Sequence, residues 1–295
     1  MRRPTTLRRH AGFTLVEAVI VIAIIGIIGA IVAVFIRLPV QQYADSVALA
    51  EVADEADLAL RRMARDIRLA LPNSVRVNAD GSAIEFLLTK SGGRYLAVED
   101  NLAGAYQPLD FANGALSLTI VGKVITPIDR NDYFVVYNLG NGITPSDAWQ
   151  FSGPDRNIAL VKEPVAKDAV FPLLTLVDNP FSGKPVPMPS PGNRFQIVSG
   201  PVTYACARAA DGALVLTRYA SYAINASQVN PPLNAVAAPV TRRVNNCAGI
   251  FSFDSASSAQ RTALVGLTLE LAARNNAGAT STIRLVHQVH VDNTP

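Results

Sequence analysis

Glu17 is the residue whose setting most demands a chemical explanation. From Phe13 to Ile36 the chain runs for 24 residues, and Glu17 is the only charge among them. A carboxylate inside such a run costs about 2.5–3.5 kcal/mol on membrane-insertion scales, so it calls for a cation brought by another molecule. A free α-amino group would serve. A cut between Gly12 and Phe13 would place one on Phe13, four residues before Glu17. The remaining titratable residues suggest little chemistry. The sequence holds no HExxH, CxxC, GxSxG, Walker A loop or GxGxxG. His10 precedes the apolar run, and His287 and His290 sit three apart in a strand-like segment, so they point to opposite faces and make a poor metal pair. Glu99-Asp100-Asn101 and Asp129-Arg130-Asn131-Asp132 are oxygen-rich, but neither has the calcium-loop spacing. The reading is therefore not an enzyme, with no cofactor, no metal and no catalytic residue.

The element that must position Glu17 is a helix. At about 1.5 Å per residue, Phe13–Ile36 would be roughly 36 Å long, enough to cross a bilayer core of about 30 Å. Arg2, Arg3, Arg8 and Arg9 lie before it and Arg37 closes it, which places the start on the cytoplasmic side and sends the C-terminal bulk outward. Formal net charge is +3, but four of the 26 basic residues precede Phe13, so the remainder carries one acid more than base and gives no reason to expect nucleic-acid binding. In an exported chain the two cysteines, Cys206 and Cys247, read as one disulfide rather than two buried thiols.

Past the apolar run, Pro39 predicts a kink or break. Helical spacing resumes with Leu49, Val52, Ala56, Leu60, Met63, Ile67 and Leu71 on one face, until Pro72. Asp57 with Arg61, and Arg62 with Asp66, are placed for i,i+4 pairing. Alternating runs then predict strands at 84–88, 94–98, 116–121, 133–138, 195–206, 214–224 and 244–253, with hairpin turns at Asp80-Gly81 and Asp211-Gly212. A final hairpin alternates Val265, Leu267, Leu269 and Leu271, turns over 275–280, and returns through Ile283, Leu285, His287, Val289 and Val291. Seven prolines crowd 163–193, which predicts an irregular surface excursion.

Gly12-Phe13-Thr14-Leu15-Val16-Glu17 behind a basic leader resembles the cleavage and methylation signal of type IV prepilins and type II secretion pseudopilins. The resemblance implies a prepilin peptidase that cuts after Gly12 and methylates Phe13, with Glu17 pairing to a neighbour's N-terminus during assembly. Two further stretches, Gly200-Pro201-Val202-Thr203-Tyr204-Ala205-Cys206 and His287–Pro295, resemble the MshO-type minor pilins of the mannose-sensitive haemagglutinin (MSHA) pilus system. Arg61–Arg68 resembles the helix of the larger minor pseudopilins. The organisation expected is an α+β pilin-like fold with a leader at 1–12, a transmembrane and assembly helix at 13–36, its amphipathic continuation at 37–71, and a β-rich periplasmic head at 72–295. The implied partners are prepilin peptidase, other major and minor pilin subunits, an inner-membrane assembly platform and membrane lipid. The competing reading is a membrane-anchored periplasmic binding or adhesive module exported by an ordinary signal, for which Ala30-Ile31-Val32-Ala33 offers small residues for cleavage.

Overall fold

The computed structural model describes residues 12–294 except 101, 103, 141, 154, 254–261 and 275–279. The arginine-rich leader and most of the last hairpin's turn thus lie outside the described residues. The fold is α+β. One long N-terminal helix leads into antiparallel sheet, and the chain divides into two compact units, Met1–Glu51 with Arg274–Ser281 and Val52–Ala273 with Thr282–Pro295.

Helix α1 spans Leu15–Arg68. Thr14 caps its start: the Thr14 hydroxyl accepts the Glu17 N–H at 3.3 Å, and its carbonyl accepts the Ala18 N–H at 3.1 Å. The break expected at Pro39 is absent, and the helix runs through it as one element. Proline removes a single bond from the ladder, and the turns on either side keep theirs. At the other end α1 stops before Pro72. The last turn tightens, with Leu69 and Ala70 N–H groups bonding to Asp66 and Ile67 carbonyls at 3.0 Å, and Leu71 N–H already bonds to the Leu87 carbonyl at 2.7 Å.

In the second unit, α1 buries Val52, Ala56, Leu60, Met63 and Ile67 of the stripe legible in the sequence, together with Ala59 and Ala64, against sheet. That sheet has nine strands among the described residues. Its axis is two long antiparallel neighbours, β2 (Ala83–Tyr95) and β7 (Arg194–Arg208), paired from Ala83–Ala205 to Arg94–Arg194 with a bulge at Leu88–Ser91. Gly200 faces Leu88 at this bulge with φ +133°, a backbone state that a Cβ disfavours. The bulge divides the sheet in two. On one side, β1 (Arg76–Val77) pairs with β2, while β8 (Leu214–Ala220) and β9 (Val236–Thr241) extend from β7, forming an open sheet.

On the other side the sheet closes. β7 continues to β4 (Tyr133–Val135) and β5 (Ile158–Leu160), while β2 continues to β3 (Ser117–Val121) and β6 (Leu173–Thr175). The two arms meet where Val161 bridges Leu176, with Lys162 N–H on the Thr175 carbonyl and Val177 N–H on the Leu160 carbonyl, both at 2.9 Å. This six-stranded ring encloses Leu118, Ile120, Phe134, Ala159, Leu174, Phe195 and Ile197. A separate sheet orders β10 (Phe251–Phe253), β11 (Thr262–Arg274) and β12 (Thr280–Asp292). It is held near the Asp80-Gly81 turn, where the Phe251 N–H bonds to the Gly81 carbonyl at 2.9 Å.

Several expectations are corrected. The strand predicted at 94–98 ends at Tyr95 and gives way to a 3-10 turn at Val98–Asp100. Of the stretches 133–138 and 244–253, only Tyr133–Val135 and Phe251–Phe253 are strand. The 163–193 segment is no mere excursion: it supplies β6 and buries Val165, Leu174, Leu176 and Phe181 in the ring. Its prolines lie outside β6, so they interrupt nothing that needs their N–H. Strand β9 was not foreseen, because Pro239 and a run of alanines mask its alternation.

Candidate assembly site on the N-terminal helix

Gly12, Phe13 and Glu17 sit together at the start of α1, and all three are exposed. Phe13 is 72% accessible, and a Cβ built on Gly12 would meet nothing within 4 Å. Glu17 falls on the first turn, where a carboxylate suits the positive end of the helix dipole. Among the described residues its carboxylate has no ion-pair partner. Behind it every residue through Ile36 is exposed, apolar side chains such as Ile22, Ile25 and Phe35 included. An 18-residue window of α1 has mean hydropathy 3.3 and none of it is buried. This is the one helix among the described residues long and apolar enough to cross a membrane. Gly26 and Gly29 are open on the surface, where they would let another helix approach closely. None of the described residues covers this surface, and an exposed apolar patch of this extent marks a site for lipid or for other helices.

The rest of α1 is fastened by polar contacts. Asp66 was expected to pair with Arg62; its partners are instead the Arg218 Nε at 2.7 Å and the Tyr204 hydroxyl at 2.8 Å. The pairing expected between Asp57 and Arg61 is present at 2.8 Å on the solvent side. Tyr204 is buried, which together with the nearby Asp66 carboxylate raises its pKa.

A second polar node escaped the sequence reading. Glu85 lies in Ala83-Ile84-Glu85-Phe86-Leu87-Leu88 and is 1% exposed. Its carboxylate accepts from Arg76 Nε at 2.7 Å and from the Tyr222 hydroxyl at 2.8 Å, and Tyr222 also lies 2.6 Å from the Thr203 hydroxyl. Arg76 stacks 3.6 Å from the Trp149 ring centroid and donates to the Ala226 and Asn225 carbonyls. The signal was available: one carboxylate in an apolar run, as at Glu17.

The cysteines form the disulfide Cys206–Cys247, 41 residues apart, which ties β7 to the segment entering β10. In the Asp129–Asp132 loop, the Lys90 ammonium contacts both carboxylates and lies 2.9 Å from Asp132. On β12, His287 is half-buried and His290 exposed. No group of three or more metal-ligating side chains occurs among the described residues. At one end of the ring, a cleft of about 480 Å³ is lined by Tyr95, Phe111, Lys184, Pro187 and Pro189.

Residues 7–33 match the family model described as the prokaryotic N-terminal methylation motif. No curated protein and no solved structure matches the chain. The matched segment holds Gly12, Phe13, Glu17 and most of the uncovered apolar surface. The chain carries a prepilin-type N-terminal motif, the mark of a type IV pilin-like precursor handled by prepilin peptidase.

Proposed function

We propose that this chain is a minor pilin or pseudopilin of the MSHA type, without catalytic activity of its own. Prepilin peptidase cuts after Gly12 and methylates Phe13. The mature protein then waits in the inner membrane with its head in the periplasm. It enters, primes or caps a type IV pilus or type II secretion pseudopilus by packing its N-terminal helix among those of other major and minor subunits on the assembly platform. The observation that carries this reading is Glu17: an exposed carboxylate on a helix whose apolar surface none of the described residues covers. In a low-dielectric setting a neighbour's N-terminal ammonium would neutralise it. Two features favour a minor role. At 295 residues the chain is large for a major subunit. Its closed ring and additional sheet make a head that a uniform filament would have to accommodate at every step.

Sequencing the membrane-extracted chain tests the reading. N-methyl-Phe13 at the N-terminus is expected, and Gly12→Arg should abolish processing. A chain that retains Arg2 and Arg3, or one that starts near Ile31 or Val34, overturns it. The cleft beside Tyr95 and the prolines favours a second reading, a binding or adhesive head, and a start near Ile31 would turn the balance toward it.

A further inference from the structure

Most sheet edges in this molecule are closed, short or interrupted, and one is not. β5 and β6 join each other through the Val161–Leu176 bridge. β1 and β10 offer two and three residues. β9 has six, but Pro239 removes a donor from it and its register shifts against β8. β12 has none of these protections. It is the outer strand of the β10-β11-β12 sheet, and among the described residues it pairs with β11 alone. It runs for 13 residues without proline, glycine or lysine, and its Thr282–Asp292 stretch belongs to the second unit. In a strand paired on one side, every second residue turns its N–H and C=O outward, so this stretch presents a row of unpaired main-chain groups about 37 Å long. Its side chains are also incompletely covered. Val286 is 63% exposed, and Arg284, Gln288 and His290 share its side. On the other side Val289 and Val291 are buried, while Ile283, Leu285 and His287 are only half-covered. No ion pair among the described residues takes up Arg284.

We infer that the outer edge of β12 takes up an extended segment of a different protein as a fourth strand of its sheet. A row of main-chain donors and acceptors repeating every second residue is matched along its length by another extended main chain, which is how a strand adds to an open edge. The side chains define the segment. One of its faces is apolar and completes the cover over Ile283 and Leu285. The other sets an acid opposite Arg284 and an aliphatic residue opposite Val286. A second copy of β12 is a poorer occupant. Paired antiparallel about Gln288, it would match Arg284 with Asp292, yet it would set the half-covered Ile283 against Asn293, which is already buried and accepts the Asn73 N–H at 3.2 Å. The half-covered end of the strand would then gain no apolar partner.

Site-specific photocross-linking of the full-length chain in its own cells tests this. The photoreactive residue p-benzoylphenylalanine replaces Val286, Gln288 or His290, one at a time, and the linked peptides are located by mass spectrometry. All three positions should link to one segment of one other protein, and the linked site should advance by two residues for each two-residue step along β12, because paired strands progress together. Arg284→Glu should lower the fraction linked from Gln288 about fivefold. Val286→Pro and His287→Pro supply a block. Adjacent residues turn their N–H groups to opposite edges, so one of the two removes an outward donor. That variant should keep the wild-type urea midpoint while linking from Gln288 falls about tenfold. A link to β12 of a second copy, linked sites that do not advance with the probe, linking that survives both prolines, or no link from any of the three positions overturns the proposal.

Discussion

Glu17 and Glu85 pose the same problem and receive opposite answers. Each is a lone carboxylate in an apolar run, one at the start of α1 and one near the start of β2. Glu85 is almost wholly buried and draws Arg76 and Tyr222 from its own chain. Glu17 is exposed and has no ion-pair partner among the described residues. The difference lies in the neighbours. The strand around Glu85 sits between β1 and β7 with Trp149 beside its arginine, so the fold itself can deliver a cation. The turn holding Glu17 is exposed and meets no cation among the described residues, and under the proposed function its counter-charge is another molecule's. A charge in a greasy segment therefore predicts a partner, and only its surroundings reveal whether that partner is intramolecular.

The contrast can be broken by experiment. The largest effect is expected at the internal node. Glu85→Ala leaves the largely enclosed Arg76 and the buried Tyr222 hydroxyl without the carboxylate they share and should destabilise the head by about 3 kcal/mol, read from the urea midpoint of the detergent-extracted chain; a shift below about 1 kcal/mol would mean that water replaces the carboxylate. Next comes the pair Ile67→Ala and Ile24→Ala. The first opens a cavity under the head and should cost about 3 kcal/mol, whereas the second, on the exposed apolar stretch, should leave head unfolding unchanged. Equal effects would show that the two halves of α1 are held alike.

Alkaline pH gives a smaller, graded change. Burial raises the Tyr95 pKa to about 12 and moves Tyr204 and Tyr222 upward as well, the latter two aided by Asp66 and Glu85. A raised folded pKa means that the stabilisation is complete below the ordinary tyrosine value and lost as pH climbs toward the folded one. The urea midpoint should therefore fall from about pH 10 toward 12, in step with tyrosinate absorbance. A flat midpoint across that window would place these hydroxyls in contact with water. Glu17→Ala should do least to the isolated molecule, within about 0.5 kcal/mol for head unfolding and with cleavage largely intact. Its effect should be seen in the fraction of chain recovered in sheared filaments, which should drop. Normal recovery of the mutant would remove the electrostatic role assigned to Glu17.

Much of the helix was legible beforehand because its information is local. Val52, Ala56, Leu60, Met63 and Ile67 recur at helical spacing, and that spacing is enough to define a buried face. The last hairpin was legible for the same reason, with Val265, Leu267, Leu269 and Leu271 alternating inward. The ring was not. Its closure depends on Val161 meeting Leu176 after short strands of three residues, too brief to carry a period. Asp66 shows the same limit: an arginine stood at the right helical spacing, yet Arg218, 152 residues away, took the carboxylate.

The amino-acid order alone determined a membrane-length apolar helix with one misplaced charge behind a glycine, because hydropathy and spacing act over a few turns. It also determined the inward face of the helix that follows. Tertiary structure decided which polar groups would find each other, how two long strands bend at a bulge to feed both an open sheet and a closed ring, and where Pro-rich chain becomes core. Those outcomes turn on contacts between residues far apart in sequence, whose closure entropy is offset only when the whole sheet assembles at once.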